Sequence, residues 1–242
     1  MFPSAVERAY LAILRKRVNA LTAVIRKAVL PRLDGSTPSV GAAVASATKG
    51  IRTDASTSPD EAIEEVRQIF LDRIPPDEAA LTGLAGRVDG AAQAHVARLA
   101  VGVIPIHLDH DTSGWLAENI ALIKSIDAQY LDDVATFVKV AQAEGWSAAR
   151  AGREIAAITG TPLSRAKLVA RDQIATLNGQ ITQQRQTEAG VKRYRWSTSQ
   201  DERVRPEHEA LEGRIFDWND PPAEGHPGEP INCRCVAIPV LD

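Results

Sequence analysis

The sequence predicts an α+β fold: a mainly α-helical body followed by a small C-terminal module of short strands and loops. Three observations carry this. Apolar residues recur at three- and four-residue steps in the helices over 4–30 and 115–144, and helical sequence runs on to about residue 188. The period shortens to two at Tyr194, Trp196 and Thr198. Proline and glycine then become dense, and both cysteines, Cys233 and Cys235, fall in that last stretch. Aromatic residues are 5% of the 242, so the helical core must rest on Ala, Leu, Ile and Val, which favours close helix packing.

In chain order, Val6, Tyr10, Ile13, Leu14, Leu21, Val24 and Ile25 predict a helix over residues 4–30, basic on its other face and stopped by Pro31. Residues 33–57 are rich in Ser, Thr, Gly and Ala and read as a flexible linker with a weak helical segment. Ser58, Pro59 and Glu61 form a capping-box start for a helix to Ile74, which Pro75 and Pro76 end. A second helix is expected over 77–99. His107, Asp109, His110 and Asp111 cluster in the break that follows. They match no ligand template, and a polar loop with Asp111 or Thr112 as a cap is the plain reading.

Trp115 to Glu144 reads as a long amphipathic helix ended by Gly145. A short helix from Ser147 to Thr159 should close at Gly160, and the next should open at Thr161-Pro162 and stop at Gly190. The second half of that helix is polar nearly all round, which suits a solvent-bridging helix or one that docks through polar contacts. Strands are expected near 194–198, 213–218 and 233–240, with a turn and short helix between Arg203 and Leu211. The chain thus divides into an N-terminal helix and linker (1–57), a helical body (58–190) and a motif-rich module (191–242).

Net charge is −3 with a pI near 6.0, so whole-chain charge does not suggest a nucleic-acid binder. Local basic runs remain at Arg15–Arg17 and Lys192–Arg195, for which solvated helix faces are the plain reading. No apolar run approaches the roughly 18 residues of a membrane span, and Glu7, Arg8 and Arg15 interrupt any secretory signal. Cys-x-Cys spacing would strain a disulfide, so a reducing cytoplasm is expected.

Three kinds of chemistry fit the module. His208, His226, Cys233 and Cys235 are ligand types that zinc prefers, with Asp201 or Asp220 as a further carboxylate, although Cys-x-Cys is not the usual spacing. Alternatively Cys233 or Cys235, lowered in pKa by Arg234, is a nucleophile with His208 as base and Asp201 as orienter. The third reading is structural, with the cysteines as small core residues and Arg203, Arg205 and Arg214 paired to nearby carboxylates.

The order Tyr194-x-Trp196, Asp201-Glu202-Arg203-Val204-Arg205-Pro206-x-His208, Leu211-x-Gly213, Pro227-Gly228 and Asn232-Cys233-Arg234-Cys235 resembles the Mu F-like phage head morphogenesis family. Ala170-Arg171-Asp172-Gln173, Asn178 and Gly145-Trp146-Ser147 are similar to it too, so the resemblance covers roughly 115–240. It implies a minor head protein of a tailed bacteriophage, made in the host cytoplasm and carried into the capsid interior near the portal vertex. There it acts in head assembly and in packaging or ejection of DNA. The implied partners are the portal protein, a capsid or scaffolding protein, and packaged double-stranded DNA held without sequence specificity; no membrane is implied. It also implies that a metal, zinc by ligand type, sits on His208, Cys233 and Cys235.

Some relatives carry toxin or enzyme domains after this module. The chain stops a few residues after Cys235, so a non-enzymatic role is expected, with a zinc- or cysteine-dependent enzyme or toxin as the alternative. The helix over 4–30 is expected to dock on the portal or another head protein.

Overall fold

The computed structural model describes residues 3–36, 38–40, 42–44, 58–99 and 111–241. Among the described residues, five helices of ten residues or more precede a small sheet: α1 (Ser4–Val24), α2 (Pro59–Gln68), α3 (Glu78–Leu99), α4 (Ser113–Ala143) and α5 (Ala148–Glu188). Strands β1 (Arg193–Ser197), β2 (Ile215–Asp217) and β3 (Val236–Val240) follow, with the short helix α6 (Pro206–Glu209) between β1 and β2. The mainly helical body with a small α+β module is therefore present as expected. The chain forms two compact units: residues 1–10, 79–117 and 168–242 in one, and 11–78 and 118–167 in the other.

In the unit of residues 11–78 and 118–167, the apolar face of α1 packs with α2, α4 and the first half of α5. Leu21, Val24, Ile63, Val66, Phe70, Tyr130, Val134, Ala151 and Ile155 are among the buried residues of that core. Pro31 does not stop the helical path. The chain widens into a π-turn over Ile25–Val29, tightens into a 3-10 turn over Leu30–Asp34, and stops at Gly35, whose φ is +77°. Proline is tolerated there because it stands in the first positions of the new turn, where its missing N–H has no partner to lose.

Within the expected linker, Val40, Ala43 and Val44 are buried in the same core. Residues 45–57 lie outside the described residues. Ser58 caps α2 with the full reciprocal capping box to Glu61.

The expected break at Gly160 does not occur, and α5 is continuous across Pro162. Proline costs that helix its bond to the Ile158 carbonyl. The buried residues on either side, Ala151 and Ile155 before it and Ala166 and Ala170 after it, hold the axis through the gap. Ser147 and Asp34 cap its start, the Asp34 carboxylate accepting from the Ala148 N–H at 3.1 Å. Gly145 (φ +62°) and Gly190 (φ +78°) end α4 and α5 in left-handed turns.

One buried charge in this unit has a measurable consequence. The Asp127 side chain is 1% exposed and lies 2.5 Å from Arg17 Nε. Arg17 also donates to the carbonyls of Phe70, Ile74 and Pro75, so its charge is shared out. Asp127 Oδ1 has no partner among the described residues. Burial therefore outweighs the attraction of Arg17 and raises the Asp127 pKa to about 6.

A raised carboxyl pKa means that the folded state holds its proton more tightly. The stabilisation is complete below the unfolded value near 4 and is lost as pH rises through about 6. Wild-type stability should fall by on the order of 3 kcal/mol over that window from this group. Asp127→Asn should remove that slope, and urea titrations at stepped pH check it.

In the unit of residues 1–10, 79–117 and 168–242, the sheet order is β2-β1-β3, all antiparallel. Tyr194 and Trp196 on β1 point to the buried face, while Arg193 and Arg195 point outward. The polar half of α5 is not solvated. Asp172 accepts from the Asn232 N–H at 2.6 Å, Gln186 donates to the Ala237 carbonyl and accepts from the Trp218 indole, and Arg185 pairs with Asp89 at 2.6 Å. Trp115 donates to the Gln173 carbonyl, and its ring lies 6.2 Å from that of Tyr10. Of the break ahead of α4, His107, Asp109 and His110 lie outside the described residues, and Asp111 accepts from the Ser113 N–H as a cap.

Candidate metal centre at His208, Cys233 and Cys235

The alternation of buried and outward residues over 233–237 places Cys233 and Cys235 inward and Arg234 outward as the chain enters β3. His208 comes from α6, which Arg205 opens in an extended conformation ahead of Pro206. Pro206 supplies the fixed φ of the first turn, so His208 is carried inward on the second residue after it. The Trp196 ring closes the site edge-on at 5.4 Å from the His208 ring.

All three side chains are buried, and their ligand atoms lie within 4.8 Å of one another. His208 Nδ1 is 3.7 Å from Cys233 Sγ and 3.4 Å from Cys235 Sγ. Zinc–sulfur and zinc–nitrogen bonds at tetrahedral angles put sulfur and nitrogen about 3.5 Å apart. The two measured separations bracket that value, so the donor set fits zinc. His208 Nε2 is buried without a hydrogen-bond partner among the described residues.

The two thiols share a hydrogen bond that separates their acidities. The bond from Cys235 lowers the Cys233 pKa against the cost of burial, helped by the backbone N–H groups of Gly228 and Cys235. The same bond, with burial, raises that of Cys235. Cys233 is thus the more thiolate-like sulfur, the form that binds metal. Arg234 is not the cause. It points away and forms a two-pronged ion pair with Asp201, both bonds at 2.6 Å. That pair and the turn to the Arg203 N–H hold the Asp201 pKa down, at about 2.

The expected residues thus sort into three groups. His208, Cys233 and Cys235 come together, with Trp196 over them. Asp201, Arg203, Arg205 and Gly213 shape the loops around them: Arg205 donates to the Ile231 carbonyl, and Gly213 makes the positive-φ turn (+74°) before β2. His226 stands apart; its Nδ1 is 2.9 Å from the Tyr194 hydroxyl, its ring packs on Trp218, and burial lowers its pKa. Asp220 bridges to Asp217. With Asp201 committed to Arg234, no carboxylate among the described residues orients His208, and Asp201 does not complete a Cys–His–Asp arrangement.

Sequence reasoning missed Gly179, and it placed Pro227-Gly228 only in the motif order without its seat on α5. The loop carrying Pro227 and Gly228 lies directly on α5, with Gly228 Cα 3.3 Å from where a Gly179 Cβ would stand. Thr176 on the same face donates to the Gly228 carbonyl. This seating fixes the loop whose backbone serves Cys233. A glycine in mid-helix beside Asn178 was the available signal.

Residues 132–238 match the family described as Phage Mu protein F like protein. An uncharacterized protein of Haemophilus influenzae is 48% identical over 127 residues, covering 52% of this chain and 28% of that protein. The chain thus spans little more than a quarter of that relative's length. No solved structure matches it. The matched span holds the whole candidate centre and every motif position from Trp196 to Cys235, and over residues 132–238 the chain is similar to the Mu F-like family.

Proposed function

We propose that this chain is a minor head protein of a tailed bacteriophage, acting in head assembly and in packaging or ejection of DNA. The observation that carries this reading is the family match over residues 132–238. The protein would be made in the host cytoplasm and carried inside the capsid near the portal vertex. Its partners would be the portal protein and a capsid or scaffolding protein, with packaged double-stranded DNA touched through phosphates. No helix among the described residues is long and apolar enough to cross a membrane.

The apolar face of α1 is taken up inside the chain, with Val6, Tyr10, Leu14, Val18, Leu21 and Val24 buried. A portal contact by α1 would therefore use its exposed basic face, where Arg15 and Lys16 stand. Heads purified from cells making the phage should contain the wild-type chain, and Arg15→Glu with Lys16→Glu should lower its incorporation about ten-fold without unfolding it. Absence of the wild-type chain from purified heads overturns the reading. Equal incorporation of the double variant overturns the α1 contact.

Zinc on His208, Cys233 and Cys235 would tie α6 to the start of β3. Its role in this reading is to hold a small module with little core of its own.

A further inference from the structure

The unit of residues 11–78 and 118–167 contains a cavity of about 410 Å³ lined by Asn19, Thr22, Ala23, Arg26, Thr159, Gly160 and Leu163. That volume lies in the range of roughly 300–1,000 Å³ typical of small-molecule sites. Nothing in the metal-centre chemistry or the head-protein reading uses it.

The floor of the cavity is rich in acceptors. Thr22 Oγ1 donates to the Val18 carbonyl and Thr159 Oγ1 to the Ile155 carbonyl, each at 2.8 Å. The buried Tyr130 hydroxyl lies 2.9 Å from both threonine oxygens. Each hydroxyl has one proton, so three protons must serve four contacts. Lone pairs therefore exceed protons at the floor, and a group that brings a donor completes it.

The lip is the reverse. Arg26 is exposed and makes no ion pair or hydrogen bond among the described residues, and its guanidinium suits a carboxylate. Asn19 adds an amide beside it. Arg26 also lies in the π-turn Ile25–Val29, and single π-turns within helices are frequent at functional sites. Between lip and floor, Ala23 and Leu163 offer aliphatic surface, and Gly160 leaves the wall open, since a Cβ there would meet nothing within 4 Å.

We propose that this cavity binds a small aliphatic hydroxy acid, its carboxylate on Arg26 and Asn19 and its hydroxyl donating to the Thr22 and Thr159 hydroxyl oxygens, which Tyr130 joins from behind. The experiment is a titration of the isotope-labelled full chain with 2-hydroxyhexanoate, hexanoate and 1,2-hexanediol, followed by amide shifts. The hydroxy acid should move the amides of Thr22, Ala23, Thr159, Gly160 and Leu163 and bind about ten-fold more tightly than either analogue.

Arg26→Gln should weaken the hydroxy acid about ten-fold and leave the diol unchanged. Gly160→Leu, which adds bulk at a lining position where a Cβ would meet nothing within 4 Å, should abolish binding of all three while circular dichroism stays that of wild type. No shifts at millimolar acid, equal binding of hexanoate, or unchanged binding in both variants would each overturn the proposal.

Discussion

Gly179→Ala is expected to destabilise the protein by about 3 kcal/mol, although alanine ordinarily improves a helix over glycine by roughly 0.5–1 kcal/mol. The sign reverses because the added Cβ would stand 2.6 Å from the Pro227 carbonyl oxygen. Both partners in this contact are backbone, and neither can swing aside. Gly228 cannot yield, because its φ is +100° and its own Cα faces the helix across the same contact. Relief requires lifting the 225–229 loop, which would also pull the Gly228 N–H from Cys233 and the His226 ring from the Tyr194 hydroxyl. Gly83→Ala on α3 is the control, since a Cβ there meets nothing within 4 Å. Urea denaturation of both variants decides the matter, and Gly179→Ala as stable as Gly83→Ala would refute the close seating.

Removal of a metal ligand is expected to have the second large effect. Protein refolded with zinc should carry one ion per chain, and Cys233→Ser should carry less than about a tenth of that. At free zinc a thousand-fold above its Kd, the ion adds about 4 kcal/mol to stability, and this increment should vanish in the variant. The comparison must include both proteins without metal. If the cluster serves as hydrogen-bonded packing, Cys233→Ser costs the same with and without zinc. If it holds an ion, the cost appears when zinc is present. Wild-type protein that retains no zinc after gel filtration would sink the metal reading.

Elements whose signals are local were legible in the sequence. The Ser58–Glu61 capping box, the glycine stops at Gly145 and Gly190, and the period-two run at Tyr194–Trp196 each depend on a few neighbouring residues. The continuity of α5 through Pro162 was not legible, because burial on both sides decides it and periodicity cannot weigh that against one lost bond. Pro31 failed as a stop for a related reason: the chain changed helix type around it. At the candidate centre, the ligand types of His208, Cys233 and Cys235 were readable, but their meeting depends on α6 folding back over β3. The assignment of Asp201 to Arg234 rather than to His208 was invisible, since both partners lay at plausible distances along the chain.

The polar half of α5 has a consequence for how the protein is made. Asp172 and Thr176 meet backbone groups of Asn232 and Gly228 that are 60 and 52 residues further along the chain. During synthesis this helix leaves the ribosome well before the strands that will cover it. An apolar seam would stand exposed through that interval and invite association with other nascent chains. A seam of Asp172, Gln173, Thr176, Asn178 and Gln186 can stay hydrated while it waits and exchange its water for the late-arriving backbone. The unusual polarity of the helix thus makes the order of emergence harmless.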